Sequence, residues 1–126
     1  MSFVAEIPLH PTEFTFDLWI VDNVDECIKQ ARKRYGLSNK SAAELFEHKQ
    51  CVQLIECGKK REIKHKVQMG MNLQPDSTNG TIVHECYHLL HYLAYDCNLP
   101  LTYEDQEWGA QMIDYIFRQV EKAIRT

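Results

Sequence analysis

Residues 81–96 are TIVHECYHLLHYLAYD, a stretch in which apolar side chains recur with the spacing of an α-helix. The side chains on one side of such a helix form a stripe that can pack against a core: Ile82, Cys86, Leu89, Leu90 and Leu93. We therefore predict a helix of about four turns that ends near Asp96. His84 and His88 fall on nearly the opposite side of it.

The segments on either side predict a hairpin before this helix and one further helix after it. Residues 51–57 and 62–71 have the composition of strands, and the polar residues 58–61 form the turn between them. In residues 62–71, one face would carry Ile63, His65, Val67 and Met69, and the other Lys64, Lys66 and Gln68. Thr102 and Asp105 predict the start of the last helix, which reaches Arg125.

The N-terminal half predicts one strand and two helices. Apolar and polar side chains alternate over residues 14–21, which indicates a strand. Asn23 caps a helix that Gly36 ends, and Ser41 with Glu44 opens a shorter helix. The order of elements predicts a single α+β domain over residues 1–126, with a small mixed or antiparallel sheet packed on the helix of residues 81–96.

The composition and charge of the chain argue against one class of partner, nucleic acid. The chain has 126 residues, 44% of them hydrophobic and 25% charged, which is ordinary for a globular domain. Its net charge is -4, and the basic cluster at residues 59–61 is explained as a polar turn. Because a nucleic-acid backbone is bound by clustered Lys and Arg, we expect no nucleic-acid partner.

Location is predicted from what the sequence lacks. No segment contains the roughly 18 apolar residues of a membrane span, and residues 1–15 lack the basic flank and apolar stretch of a signal peptide. The five cysteines form no CxxC pair. We therefore expect reduced thiols in a cytoplasmic protein that is neither secreted nor membrane-bound.

The motif HExxH occupies residues 84–88. His84 and His88 are four residues apart on one helix, so both imidazoles can reach the same ion. Two nitrogen ligands suit zinc, and Glu85 lies beside them where it can accept a proton from water. The motif therefore predicts a Zn²⁺ site with Glu85 as its catalytic base.

The third ligand has three candidates. His91 shares the histidine face, but positions i and i+7 of a helix are about 10 Å apart, which is too far for one ion. Glu107 and Glu104 lie near the start of the next helix. Glu107 ranks first because Gly109 and Ala110 would let the two helices approach closely, although an acid in a first turn also suits the helix dipole.

The HExxH motif followed by Glu107-Trp108-Gly109-Ala110 resembles the minimal gluzincin pattern, HExxH then ExxA on the next helix. Small metallopeptidases of this clan, and zincin-like proteins encoded by bacteriophages, are similar in this region. The resemblance implies a zincin-like domain that hydrolyses peptide bonds of a protein or peptide substrate. If a bacteriophage encodes the protein, the reaction would take place inside the infected bacterial cell. It also implies that a strand before the HExxH helix lies along the active-site cleft. Residues 63–69 are the corresponding segment of this sequence.

Several alternatives stay open at the level of sequence. In peptide hydrolysis, the negative charge that develops on the carbonyl oxygen needs a stabilising group. Four side chains are candidates for this role: His65, Tyr95, Tyr103 and Tyr115. Zinc in a small chain can also support a binding or structural module without catalysis. In a third interpretation metal plays no part and the aromatic residues of the last helix form a partner surface: Trp108, Tyr115 and Phe117. The oligomeric state is not encoded in any pattern.

Overall fold

A computed structural model describes residues 2–99, 101, 102 and 106–125, and they form four strands and four helices. The elements, in chain order, are β1 (Phe3–Pro8), β2 (Thr15–Ile20), α1 (Val24–Tyr35), α2 (Asn39–Glu44), β3 (Cys51–Glu56), β4 (Val67–Leu73), α3 (Asn79–Asp96) and α4 (Gln106–Ile124).

The strands form one mixed sheet in the order β1-β2-β4-β3. β1 pairs with β2 and β3 pairs with β4 in antiparallel fashion, whereas the central strands β2 and β4 are parallel. β1 and β3 are therefore the two edges of the sheet. The α+β class predicted from the sequence is confirmed.

Helices cover both faces of the sheet, so the molecule has three layers. On one face, α3 and α4 pack on a cluster that includes Phe16, Leu18 and Met71. On the other face, α1 and α2 pack on a cluster that includes Trp19 and Ile55. Because successive side chains of a strand point to opposite faces, β2 contributes to both clusters and is buried along nearly its whole length.

Helix α1 has the ends that its sequence predicts. Asn23 caps it by accepting a hydrogen bond from the backbone N–H of Glu26, at 3.1 Å. At the other end Gly36 adopts the left-handed conformation, with φ of 66°. Both ends predicted for this helix are confirmed.

Three features of the strands differ from the sequence prediction. β1 was not predicted, because it carries Pro8 and has no clear alternation of apolar side chains. The return strand begins at Val67 rather than at residue 62, so Ile63 and His65 lie outside it. Ile63 packs on the α1 side of the sheet and Met69 on the α3 side, which contradicts their predicted shared face.

The ends of the remaining helices also refine the prediction. α2 begins at Asn39 and is capped by Ser38, not by Ser41. α3 is capped by Thr78 and runs to Asp96 as predicted. The predicted cap of α4 involves Asp105, which lies outside the described residues.

Helix α4 buries the stripe that its spacing predicts. Met112, Ile116 and Val120 are buried against the sheet, and Trp108 packs against them half-buried. Tyr115 donates a hydrogen bond to the carbonyl oxygen of Pro8 at 2.7 Å, which ties α4 to β1. Among the described residues, no helix is both long enough and apolar enough to cross a membrane.

Candidate metal centre

Helix α3 presents its histidines to solvent and its apolar stripe to the sheet. Thr78 caps the helix by accepting a hydrogen bond from the backbone N–H of Thr81, at 3.2 Å. The predicted stripe is buried, from Ile82 to Leu93, whereas His84 and His88 are exposed. The two histidines are therefore not packing residues of the core.

The two imidazoles meet at the surface of α3. Their Nε2 atoms are 3.1 Å apart, and the ring centroids of His84 and His88 are separated by 4.8 Å. Two histidine nitrogens at about 2.0–2.1 Å from a tetrahedral zinc ion are about 3.4 Å apart. The observed distance of 3.1 Å also suits a hydrogen bond in which one ring donates and the other accepts.

Glu85 completes the group. A carboxylate oxygen of Glu85 and one nitrogen from each of His84 and His88 all lie within 4.8 Å of one another. Glu85 is only 5% exposed, although it lies next to His84 in the chain. Among the described residues its carboxylate has no hydrogen-bond or ion-pair partner. In the described part of the chain, the buried side-chain atoms without a hydrogen-bond partner are Arg61 Nε and Asn72 Oδ1, so the Glu85 oxygens, which are not among them, reach solvent.

The edge strand β3 lies along the flank of α3 that carries Glu85. Burial, and then the negative charge of Glu85, raise the pKa of the Cys51 thiol on β3 to about 11. The same two causes, in the same order, raise the pKa of Cys86 to about 12. Cys51 on β3 is therefore a strand residue that lies near Glu85, and α3 packs on β4 as well, so a cleft strand formed by residues 63–69 stays a prediction.

The structure does not bring the predicted third ligand into the group. Glu107 is exposed on α4, where its Oε1 accepts a hydrogen bond from Gln111 at 3.3 Å. The ring of His91 instead faces Tyr87, with centroids 4.5 Å apart. Glu104 lies outside the described residues. The identity of the third ligand thus stays a prediction.

The candidates for oxyanion stabilisation lie in different places. Tyr95 is 86% exposed on the outer face of α3. The hydroxyl of Tyr115 is engaged with Pro8, and His65 lines a cavity at the far end of β3. Tyr103 lies outside the described residues. His65 does not belong to the group around Glu85.

Sequence reasoning missed the burial of Glu85 and the proximity of Cys51. On a helical wheel Glu85 lies at the border between the histidine face and the apolar stripe, so its burial depends on what covers that border. The cover is the edge strand β3, whose place beside α3 is a tertiary feature. The sequence offers only a weak signal for the special position of Glu85: it is the single acidic residue in the first four turns of α3.

Comparison of the chain with family models, with curated proteins and with solved structures gives no match. The description of the centre rests on this chain's own residues and their geometry.

Proposed function

We propose that this protein is a zinc-dependent peptidase in which His84 and His88 hold the metal and Glu85 is the catalytic base. The observation that carries the proposal is the grouping of two imidazole nitrogens with a carboxylate oxygen of Glu85, all within 4.8 Å. Exposed histidines alone would need no explanation. A carboxylate with no hydrogen-bond or ion-pair partner among the described residues, placed beside two histidine nitrogens, is the arrangement that a metal-activated water and its base require.

The donor set fits zinc. Imidazole nitrogens and carboxylate oxygens are ligands that Zn²⁺ commonly takes, usually three from the protein in catalytic sites. Glu107 remains our first candidate for the third ligand, ahead of Glu104 and His91. Bound zinc would supply a Lewis acid that polarises the substrate carbonyl and lowers the pKa of water.

Glu85 would then move the proton. Its carboxylate accepts a proton from the attacking water and passes it to the amine that leaves when the peptide bond breaks. The Glu85 side chain is 5% exposed, which limits the positions that its carboxylate can take. We propose that the substrate is a protein or peptide in the cytoplasm, with no role for nucleic acid or membrane.

A non-catalytic zinc-stabilised module is the second candidate. It is favoured by the open position of His84 and His88, which are exposed on the outer face of α3 rather than at the floor of a cleft. Such a module would use zinc to support binding or folding and would have no need of Glu85.

Metal content separates these possibilities. Wild-type protein is expected to hold about one zinc ion per chain by elemental analysis, and His84→Ala and His88→Ala to lose it. His10→Ala, which removes an exposed histidine between β1 and β2 outside the group, is the control and should keep its zinc. A wild-type protein that takes up no zinc when zinc is supplied would contradict the proposal.

The role of Glu85 is tested by Glu85→Gln. This variant should keep its zinc and lose peptide hydrolysis by about 100-fold or more, because it cannot accept the proton. Hydrolysis of a labelled peptide mixture by the wild type provides the reference. If the wild type binds zinc and cleaves nothing, the structural module is the better account. If Glu107→Ala keeps zinc, the third ligand lies elsewhere.

A further inference from the structure

A cavity of about 450 Å³ lies at the end of the sheet where β3 finishes and β4 begins. Its apolar wall consists of Phe14, Leu54, Val67 and Met69. Leu54 and Val67 are 44% and 46% exposed, so apolar surface is open to solvent here. A long aliphatic side chain would cover this surface and remove it from water.

One acidic side chain lines this cavity. Asp96, at the end of α3, is an exposed lining residue, and among the described residues it has no hydrogen-bond or ion-pair partner. Glu13 precedes the lining residue Phe14 in the chain but does not line the cavity. The basic residues Lys64 and Lys66 flank the lining residue His65 in sequence but do not line the cavity. The rim therefore complements a cation.

The cavity and the metal centre lie along the same flank of α3. Glu85 and Asp96 are eleven residues apart in the chain, which is about three helical turns, so they lie on the same flank of α3 about 16 Å apart along its axis. On the strand, Cys51 lies near Glu85 and Leu54 lines the cavity. β3 is an edge strand, and a peptide can add to its free edge.

We propose that this cavity is a specificity site that takes a Lys or Arg side chain of the extended substrate. The aliphatic stem lies against Leu54, Val67 and Met69, and the cationic end reaches Asp96. This inference rests on the proposed peptidase function for the identity of its ligand. At about 3.3 Å per residue, 16 Å places the basic side chain about five residues from the bond that is cleaved.

The test uses three acetylated and amidated pentapeptides with alanine on both sides of a central lysine, norleucine or glutamate. Each is titrated into zinc-supplied Glu85→Gln protein, and the backbone amide signals of Leu54, Val67 and Asp96 are followed by NMR. These signals should shift on binding. The lysine peptide should bind about threefold to fivefold more tightly than the norleucine peptide, as an ion pair at a partly exposed site allows, and the glutamate peptide most weakly.

Asp96→Asn should abolish the preference for lysine over norleucine while norleucine still binds. Asp114→Asn, an exposed acid on α4, is the matched control and should leave the preference unchanged. Equal binding of lysine and norleucine, or an unchanged preference in Asp96→Asn, would overturn the proposal, as would peptides that shift none of the three amides. A protein that binds the lysine peptide here but takes up no zinc would refute the peptidase and leave this site standing.

Discussion

Asp17 is fully buried in the centre of the sheet, and its carboxylate is held by three side chains. Arg34 donates two hydrogen bonds to it, at 2.7 and 3.0 Å, and Tyr35 and Gln68 donate one each. Burial lowers the pKa of Arg34, but the hydrogen bonds and charge of Asp17 outweigh this, so the pKa is raised. Asp17 thus contrasts with Glu85, a buried acid with no such partners among the described residues.

Arg34→Met is expected to destabilise the protein by about 3 kcal/mol, because it leaves the buried charge of Asp17 without its cation. Arg118→Met removes a comparable pair, since Arg118 contacts Asp114 at 3.0 Å, but there the side chains are 74% and 62% exposed. We expect Arg118→Met to lower the free energy of unfolding by about 0.5 kcal/mol or less. Urea unfolding of the three proteins measures both values, and equal losses would contradict the contrast between buried and exposed pairs.

Single residues show how far sequence alone can define the centre. The exposure of His84 and His88 follows from helical periodicity, because the apolar stripe opposite them is unambiguous. The burial of Glu85 does not follow, because it depends on a strand that is distant in the chain. Whether Glu107 reaches the metal depends on the packing of two helices, which periodicity does not fix.

At the level of elements, the connection between α1 and α2 depends on Gly36. Its φ of 66° is strained for any residue with a side chain. A Cβ at this position would also collide with the backbone carbonyl of Lys60 in the loop between β3 and β4. Gly36 therefore both ends α1 and allows this loop to lie against it.

Gly36→Ala should lower the free energy of unfolding by about 2 kcal/mol or more, from conformational strain together with the backbone collision. Gly80→Ala is the matched control, since Gly80 is inside α3 and a Cβ there meets nothing closer than Thr78 Oγ1, at 3.8 Å. We expect that substitution to be neutral or stabilising, because alanine favours helix. Thermal unfolding of both variants measures the difference. A Gly36→Ala protein as stable as Gly80→Ala would contradict the expectation.

Elements with local signals were predicted best. The ends of α1 follow from Asn23 and Gly36, which act on neighbouring backbone groups. β1 was missed because its pairing partner β2, and not its own pattern, makes it a strand. The start of β4 was placed too early because alternation continues through residues 62–66, which form a loop whose Ile63 packs on the opposite face.

At the level of the whole molecule, all five cysteines lie where burial raises the pKa of the thiol. The folded protein therefore retains protons that the unfolded chain releases above its ordinary thiol pKa of 9.0. The stability contributed by a neutral buried thiol is fully present below that pH and is lost as pH rises above it. The protein should become less stable between pH 8.5 and 10.

Cys27, which is fully buried, provides the test of this dependence. Cys27→Ala should reduce the slope of unfolding free energy against pH by up to about 1.4 kcal/mol per pH unit. Urea unfolding at several pH values, with a reductant present, gives the slope for both proteins. The smaller alanine side chain also lowers the free energy of unfolding by an amount that does not depend on pH, so it does not change the slope. Identical slopes in the two proteins would show that Cys27 does not contribute to the pH dependence of stability.

The layered architecture was predictable only in outline. Alternation identified residues 14–21 as a strand, but it could not show that both faces of β2 are buried, because that requires helices on both sides of the sheet. The parallel pairing of β2 with β4 joins segments that no local pattern relates. The class therefore follows from the order of elements, whereas strand order follows from long-range contacts.

The parallel pairing at the centre of the sheet has a consequence for how the chain folds. β1 and β2 are joined by residues 9–14, and β3 and β4 by residues 57–66, whereas residues 21–66 separate β2 from β4. Since the entropy lost on closing a loop grows with its length, we expect each outer pair to form first and the central pair to close last. Until then β2 and β4 both present unpaired edges, so the period before closure is when two chains in a concentrated solution can exchange strands or aggregate.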